Sequence, residues 1–182
     1  MDAVEVRRSP RARQWRLELP WGGPARLTVP QRMSWAEVEH LLSEKRSWIE
    51  EQRRRQVPRL GLERFSVSEM EARMGARELV SALAEEEAER LGVTYRRIRI
   101  GGQRTLWGSC SARGTLSFNW RLVLAPPAVL DYVVVHELCH LRVPNHSRRF
   151  WTLVERHRPH WRDQRNWLRE YGPELLAFSP SA

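Results

Sequence analysis

One apolar segment, residues 128–142, constrains the fold of this chain more than any other feature. Pro126-Pro127 precedes it and Pro144 follows it, and prolines at such positions mark where a helix begins and ends. Valine and leucine fill many of its positions, so the helix must be buried on several sides. The same segment contains His136-Glu137-Leu138-Cys139-His140. Histidine and glutamate are costly to bury without partners, so this helix is predicted to hold a polar site inside the core.

The spacing of the two histidines indicates what that site binds. Residues four apart on a helix share a face, with about 5–6 Å between their Cβ atoms, so His136 and His140 can reach one metal ion. The pattern matches H-E-x-x-H. Glu137 is offset round the helix, where its carboxylate can reach a metal-bound water without ligating the metal. The segment predicts a catalytic metal site; the alternative is a set of polar groups that pair within the core.

His146 is the natural third ligand, because it follows His140 by six residues, as in H-E-x-x-H-x-x-G-x-x-H proteins. Those proteins have a glycine where this chain has Val143, and here Pro144-Asn145 is expected to turn the chain back instead. Three neutral imidazoles leave one position for water and favour a single zinc ion. Two alternatives stay open: His146 caps the next helix, or Glu155 on that helix is the ligand.

The first part of the chain is predicted to form a β-rich lobe, residues 1–58. Ser34 and Glu37 have the spacing of a capping box, which predicts the start of a long helix. Residues 20–24 are a turn, and residues 56–64 are a linker. Three short strands precede the helix: Val4–Arg8, Gln14–Leu19 and Ala25–Val29.

Residues 59–182 are predicted to form an α+β core, although the chain can also be one compact domain. A helix runs from Ser66 or Ser68 to Arg90 and stops at Gly92. Strands are expected at Tyr95–Ile100, Thr105–Cys110 and Thr115–Phe118, and helices at Ala128–Arg142, Ser147–Arg156 and Trp161–Tyr171.

Composition narrows the compartment and the partners. The chain has no apolar run of about 18 residues, so no membrane contact is expected, and its two cysteines form no disulfide framework. A cytoplasmic location follows as the expectation. The net charge of +9 divides into +5 over residues 1–60, −1 over 61–100 and +5 over 101–182. This basic surface predicts contact with a polyanion or nucleic acid, or is simply solvated.

Four segments together resemble the YgjP-like family of metal-dependent hydrolases with a metallopeptidase-like domain. The resemblance implies a minimal zincin: a small, mostly antiparallel sheet with an active-site helix. It also implies zinc held by His136, His140 and His146, with Glu137 as general base. Cys139 departs from the family pattern, which has a small residue there. The matching segments are Leu106–Ser111, Leu116–Leu122, Tyr132–Leu141, and Asn145-His146-Ser147 with Phe150-Trp151.

A strand edge is expected beside the metal at Trp107, Gly108 and Ser109. Glycine at that edge permits close approach of the backbone by substrate or by the active-site helix. The alternative is that these residues belong to an ordinary packing strand.

Three more side chains are candidates near the metal. Asn119 and Arg121 can donate to the oxyanion that forms when water attacks a carbonyl, or Arg121 can brace the fold. Tyr132 lies one helical turn before His136, where it either donates a hydrogen bond to that histidine or packs beside it.

Three hypotheses for function follow. The first is a zinc-dependent hydrolase of peptide substrates, in which Glu137 takes a proton from the metal-activated water. The second keeps the site but assigns a polyanionic substrate, either a nucleotide phosphoanhydride or a protein associated with nucleic acid. The third is a non-catalytic module in which zinc, with Cys139 or Cys110 as fourth ligand, stabilises the fold. The sequence leaves the oligomeric state open.

Overall fold

Two compact units, Met1–Arg59 and Leu60–Ala182, make up the chain. The computed structural model describes residues 4–20, 23–56, 60–62 and 67–180. The predicted turn at 20–24 and linker at 56–64 lie partly outside these residues, as does Ser66. Within the described ranges, no helix has the length and apolar character needed to cross a membrane.

The first unit is a three-stranded sheet followed by a long helix. The strands are β1 (Val4–Ser9), β2 (Arg16–Glu18) and β3 (Ala25–Pro30), in the order β1-β3-β2, and the helix is α1 (Trp35–Arg55). Ser34 and Glu37 form the predicted capping box at the start of α1. Alternate side chains of β3 turn inward, so that Leu27 and Val29 pack against Val38 and Leu41 of α1.

The second unit begins with a helix whose two ends match the prediction. Helix α2 (Glu69–Leu91) starts with a capping box between Ser68 and Glu71. It ends at Gly92, whose φ of +61° is a left-handed conformation that favours glycine. The remaining elements are β4 (Arg97–Gly101), β5 (Gly108–Cys110), β6 (Thr115–Asn119), a 3-10 helix (Trp120–Leu124), α3 (Pro127–Cys139), α4 (Arg148–His157) and α5 (Trp161–Ala177).

The sheet of the second unit confirms the α+β class but corrects one expectation. Strand order is β4-β6-β5, with β6 antiparallel to β5 and parallel to β4. The sheet is therefore half parallel rather than mostly antiparallel. The reason is that residues 102–107 carry the chain from β4 to the far edge of β6, and only the β5–β6 connection is a hairpin.

Helix α3 lies at the centre of the second unit. It packs against α2, α4, α5 and the strands β5 and β6. Val134, Val135, Leu138 and Cys139 are fully buried in the main core. The helix ends at Cys139, three residues before the predicted Arg142, and a turn leads from there towards α4. Because α3 is enclosed on several sides, any polar group on its inward faces is held in one position.

A buried carboxylate, that of Glu87, pairs with two arginines in the second unit. Glu87 of α2 is 1% exposed and accepts hydrogen bonds or ion pairs from Arg90 at 2.6 Å and from Arg158 at 3.0 Å. Arg158 follows α4 and also binds Asp131 of α3 at 2.6 Å. One guanidinium thus joins α2 and α3 to the segment between α4 and α5.

Replacing Arg158 by methionine is expected to lower the free energy of unfolding by about 2 kcal/mol, measured by urea titration. The physical reason is that Glu87 then has Arg90 as its remaining cation and the Asp131 pair is lost. Arg162→Met is the matched control, because the pair it makes with Glu155 is exposed. That variant should lose less than about 1 kcal/mol. Equal losses in the two variants would contradict a buried role for Arg158.

Candidate metal centre

Three imidazoles converge at the end of α3. The Nε2 atom of His146 lies 3.0 Å from Nε2 of His136 and 3.2 Å from Nε2 of His140. Each of the three residues offers one ligand nitrogen, and these nitrogens lie within 4.8 Å of one another. In the described part of the chain, this is the one such group of three or more possible metal ligands. The helix places His136 and His140 on one face, and the turn after α3 returns His146 to them.

The arrangement fits a tetrahedral metal ion. Zinc binds histidine nitrogens at about 2.0–2.1 Å, and two nitrogens at tetrahedral angles are then about 3.3 Å apart. The two Nε2 distances from His146 are close to that value. Three nitrogens directed at one point match a site whose fourth position is left for water or substrate.

The Nδ1 atoms of His140 and His136 lie near oxygen atoms that orient the two rings. Nδ1 of His140 lies 3.1 Å from the carbonyl oxygen of Val143, so an Nδ1–H donates there and leaves Nε2 free as a ligand. Nδ1 of His136 lies 3.5 Å from the hydroxyl of Tyr132. Tyr132 therefore occupies the place predicted for it, with its ring edge against that of His136.

Burial keeps His136 and His140 neutral, as metal binding requires. It lowers the pKa of His136 to about 3, with further lowering from the neighbouring His140 and His146. The pKa of His140 is also lowered, chiefly by burial, although its hydrogen bond to Val143 opposes that shift. Both ring systems are thus uncharged at neutral pH, with a lone pair available for a cation.

Two aromatic residues of α4 form a wall around the imidazoles. Phe150 stacks on His140 with 4.4 Å between ring centroids, and Trp151 stacks on His146 at 5.5 Å. Trp161 in turn stacks on Trp151 at 4.3 Å. The sequence analysis named Phe150 and Trp151 only as part of the family resemblance, without a role at the metal. The available signal was their spacing of four and five residues from His146, which brings them back to the ligand once α4 forms.

Glu137 is held against the edge strand. Its side chain is 6% exposed, and burial raises the pKa of its carboxyl group to about 8. A Cβ atom on Gly108 of β5 would lie 2.7 Å from both Cγ and Oε1 of Glu137. The close approach expected at Gly108 is thus made by the active-site helix, and glycine is required there because any side chain would collide with the carboxylate.

Asn119 and Arg121 are used by the fold. Asn119 is fully buried, and its amide donates to the carbonyls of Gln103 and Leu106 and accepts from the backbone N–H of Arg121. Arg121 donates from Nε to the carbonyl of Phe178 at 2.7 Å, and its guanidinium lies over the Trp120 ring. The expected contacts of these two residues with an oxyanion are not supported by this geometry.

Trp107 and Ser109 differ in their surroundings. The Trp107 ring packs in the core, where a Cβ atom on Gly172 of α5 would lie 3.1 Å from it. Ser109 is exposed on β5 opposite Ser117. Trp107 thus has the packing role considered for it, and Ser109 is the member of this segment that faces solvent.

The alternative metal ligands lie elsewhere. Cys139 is fully buried in the apolar core, and the thiol of Cys110 donates to the carbonyl of Ser111 at 3.6 Å. Glu155 binds Arg162 at 2.6 Å. The histidine group described above includes none of the three.

Comparison with family models assigns this chain to the metal-dependent, peptidase-like hydrolases. Residues 62–171, more than half of the chain, match the YgjP-like, metallopeptidase domain. The chain belongs to the YgjP-like family, which confirms the resemblance predicted from its motifs. That family implies a divalent metal, and the three histidines are the described residues able to hold it.

Two solved structures are similar to half of this chain. One is the metallopeptidase zymogen abylysin of Pyrococcus abyssi, with 24% identity and a TM-score of 0.45, covering 50% of this chain and 93% of that one. The other is the metallopeptidase zymogen jannalysin of Methanocaldococcus jannaschii, with 19% identity and a TM-score of 0.45, covering 50% and 94%. Comparison with curated protein sequences gave no match.

Replacing Gly108 by alanine is expected to lower the free energy of unfolding by about 1–3 kcal/mol, because the new Cβ overlaps the Glu137 carboxylate. Zinc binding, measured by calorimetry, should persist because the three atoms nearest to this Cβ all belong to Glu137 and none to the three histidines.

Gly75→Ala in α2 provides the control, since a Cβ there meets no atom within 4 Å. Alanine is the better helix former, so this variant should be neutral or more stable by up to about 1 kcal/mol. A Gly108→Ala protein as stable as Gly75→Ala would contradict the close contact.

Proposed function

We propose that this protein is a zinc-dependent peptidase in which His136, His140 and His146 hold one zinc ion and Glu137 is the general base. The convergence of three imidazole Nε2 atoms, next in sequence to the buried carboxylate of Glu137, is the observation that carries the proposal. Membership in a metallopeptidase family supports a peptide bond as the substrate. Three imidazole ligands favour zinc among the divalent metals.

Zinc held by three imidazoles supplies Lewis acidity, which brings the pKa of a water molecule to about 7 and polarises a carbonyl. The protein supplies the remaining functions. Val143 and Tyr132 fix the orientation of two ligand rings, and Phe150 and Trp151 exclude solvent from one side. These contacts keep the ligands in place without rearrangement during catalysis.

Glu137 moves the proton. Its carboxylate, packed on the Gly108 backbone, accepts a proton from the attacking water and returns it to the amine that leaves. The positive charge of a bound divalent ion favours the ionised carboxylate and opposes the effect of burial. Ser109, exposed one residue further along β5, is in a position to contact the peptide.

Two alternatives have less support. A non-catalytic zinc module needs a fourth protein ligand, and the nearest candidate in sequence, Cys139, is directed into the apolar core. A phosphoanhydride substrate would use the same metal, but the family match indicates peptide chemistry. The free thiols of Cys110 and Cys139 suit a reducing, cytoplasmic environment.

Glu137→Gln is expected to keep one zinc per chain and to reduce peptide hydrolysis by at least about 100-fold, because the amide cannot accept the proton. Zinc content by elemental analysis and hydrolysis of a quenched fluorescent peptide are the two measurements. Glu155→Gln, an exposed carboxylate with the same change in charge, is the control and should retain full activity. A fully active Glu137→Gln protein would show that another group is the base.

The ligand set can be tested separately from catalysis. His146→Ala should weaken zinc binding by at least about tenfold, measured by competition with a fluorescent chelator, because it removes one of three imidazoles. Glu155→Ala should leave zinc affinity unchanged, since that carboxylate pairs with Arg162. The opposite result, with zinc lost from Glu155→Ala and kept by His146→Ala, would assign the third ligand to Glu155.

A further inference from the structure

A basic groove lies along one side of α4. Its volume is about 800 Å³, and Val143, Thr152 and Leu153 line it together with four arginines. All four arginines, Arg142, Arg148, Arg149 and Arg156, are exposed. We call this cavity the arginine groove. It concentrates four positive charges over a floor that is partly apolar.

The charges of the arginine groove are not used by the fold. Within residues 4–20, 23–56, 60–62 and 67–180, no ion pair joins any of the four arginines to a carboxylate. Neighbouring arginines behave differently: Arg158 binds Asp131 and Glu87, and Arg162 binds Glu155. Four guanidinium groups at one cavity, without a carboxylate partner among the residues that the structure describes, form a site suited to carboxylates or phosphates.

The arginine groove and the metal centre are built from the same segment of the chain. Val143, which lines the groove, also accepts the hydrogen bond from His140. Arg148 begins α4 two residues after His146. Residues 140–149 thus contribute two metal ligands and three of the groove arginines, so a chain bound in the groove is tethered beside the metal-binding segment.

We propose that the arginine groove binds an acidic segment of the polypeptide substrate. The inference rests on the proposed peptidase function, which makes the occupant a polypeptide. Arg148, Thr152 and Arg156 follow one face of α4 and span about 12 Å, at 1.5 Å per residue. An extended peptide covers that length with about four residues. Two or three Asp or Glu side chains in such a segment can each meet a guanidinium, with an apolar residue over Leu153.

The lining favours a polypeptide over a nucleic acid. Single strands are bound through aromatic side chains on which the bases stack, and none of the seven residues that line the groove is aromatic. Leu153 and Val143 instead offer apolar contact between the charges, which a phosphate backbone does not use. An acidic peptide with an interspersed apolar side chain matches both features.

Binding can be tested by fluorescence anisotropy with the zinc-loaded full chain carrying Glu137→Gln, so that the peptide stays intact. The probes are a fluorescein-labelled Glu-Glu-Leu-Glu-Glu peptide and its Gln-Gln-Leu-Gln-Gln counterpart. The acidic peptide should bind about tenfold more tightly than the neutral one. The variant R148Q/R149Q/R156Q should bind the acidic peptide about tenfold more weakly, since each exposed contact contributes a few-fold to the affinity.

A matched control removes the same charge elsewhere. R96Q/R97Q/R99Q changes three exposed arginines on and next to β4 that do not line the arginine groove, and it should alter binding less than threefold. Equal affinity for the two peptides, or equal loss in the two triple variants, overturns the proposal. The proposal is also overturned if a 12-nucleotide single-stranded DNA binds more tightly than the acidic peptide and this binding is lost in the groove variant.

Hydrolysis separates this inference from the proposed function. With quenched peptides that differ only in an acidic or glutamine flank, the groove variant of the otherwise native chain should raise KM for the acidic peptide about tenfold and leave kcat unchanged. If neither peptide is hydrolysed while the binding difference persists, the proposed peptidase function fails and the groove stands. If both peptides are hydrolysed and their KM values are equal, the groove proposal fails and the proposed function stands.

Discussion

The burial of His136 and Glu137 within an apolar helix is the constraint on which the site depends. Neither side chain gains from the valines around it, so each needs a polar partner to offset the lost solvation. His136 has the hydroxyl of Tyr132 on one side and the other two imidazoles on the other. Glu137 has the backbone of Gly108 against its carboxylate. The divalent metal that the family implies would supply a partner for both groups, because such a cation favours neutral imidazole lone pairs and an ionised carboxylate together.

The third ligand depends on how α3 ends. His140 directly follows the last residue of α3, and its ring donates a hydrogen bond to the carbonyl of Val143. This hydrogen bond fixes the turn that follows the helix. His146 then returns to the cluster, and α4 begins at once, so Phe150 and Trp151 cover two of the rings. The twelve residues 140–151 therefore fix the positions of His140 and His146 through local contacts. Helix α5 supports them from outside, since Trp161 stacks on Trp151.

Features set by neighbouring residues were predictable from the sequence. The capping boxes at Ser34 and Ser68, the left-handed Gly92 and the histidine spacing all depend on residues within about five positions. Non-local features were not. The parallel pairing of β4 with β6 depends on where residues 102–107 cross the sheet. The same limit applies to Asn119 and Arg121, whose partners lie up to 16 and 57 residues away.

Net charge alone said little about function, and the partners of individual arginines say more. The segment 101–182 carries +5, and two sets of its arginines differ in their partners. Arg158 and Arg162 are paired with carboxylates and contribute to the fold. The arginines of the groove have no such carboxylate among the described residues, and their charge remains available to a ligand. Three of them share one short segment with His140 and His146, so the proposed selection of a substrate and its proposed cleavage involve the same stretch of chain.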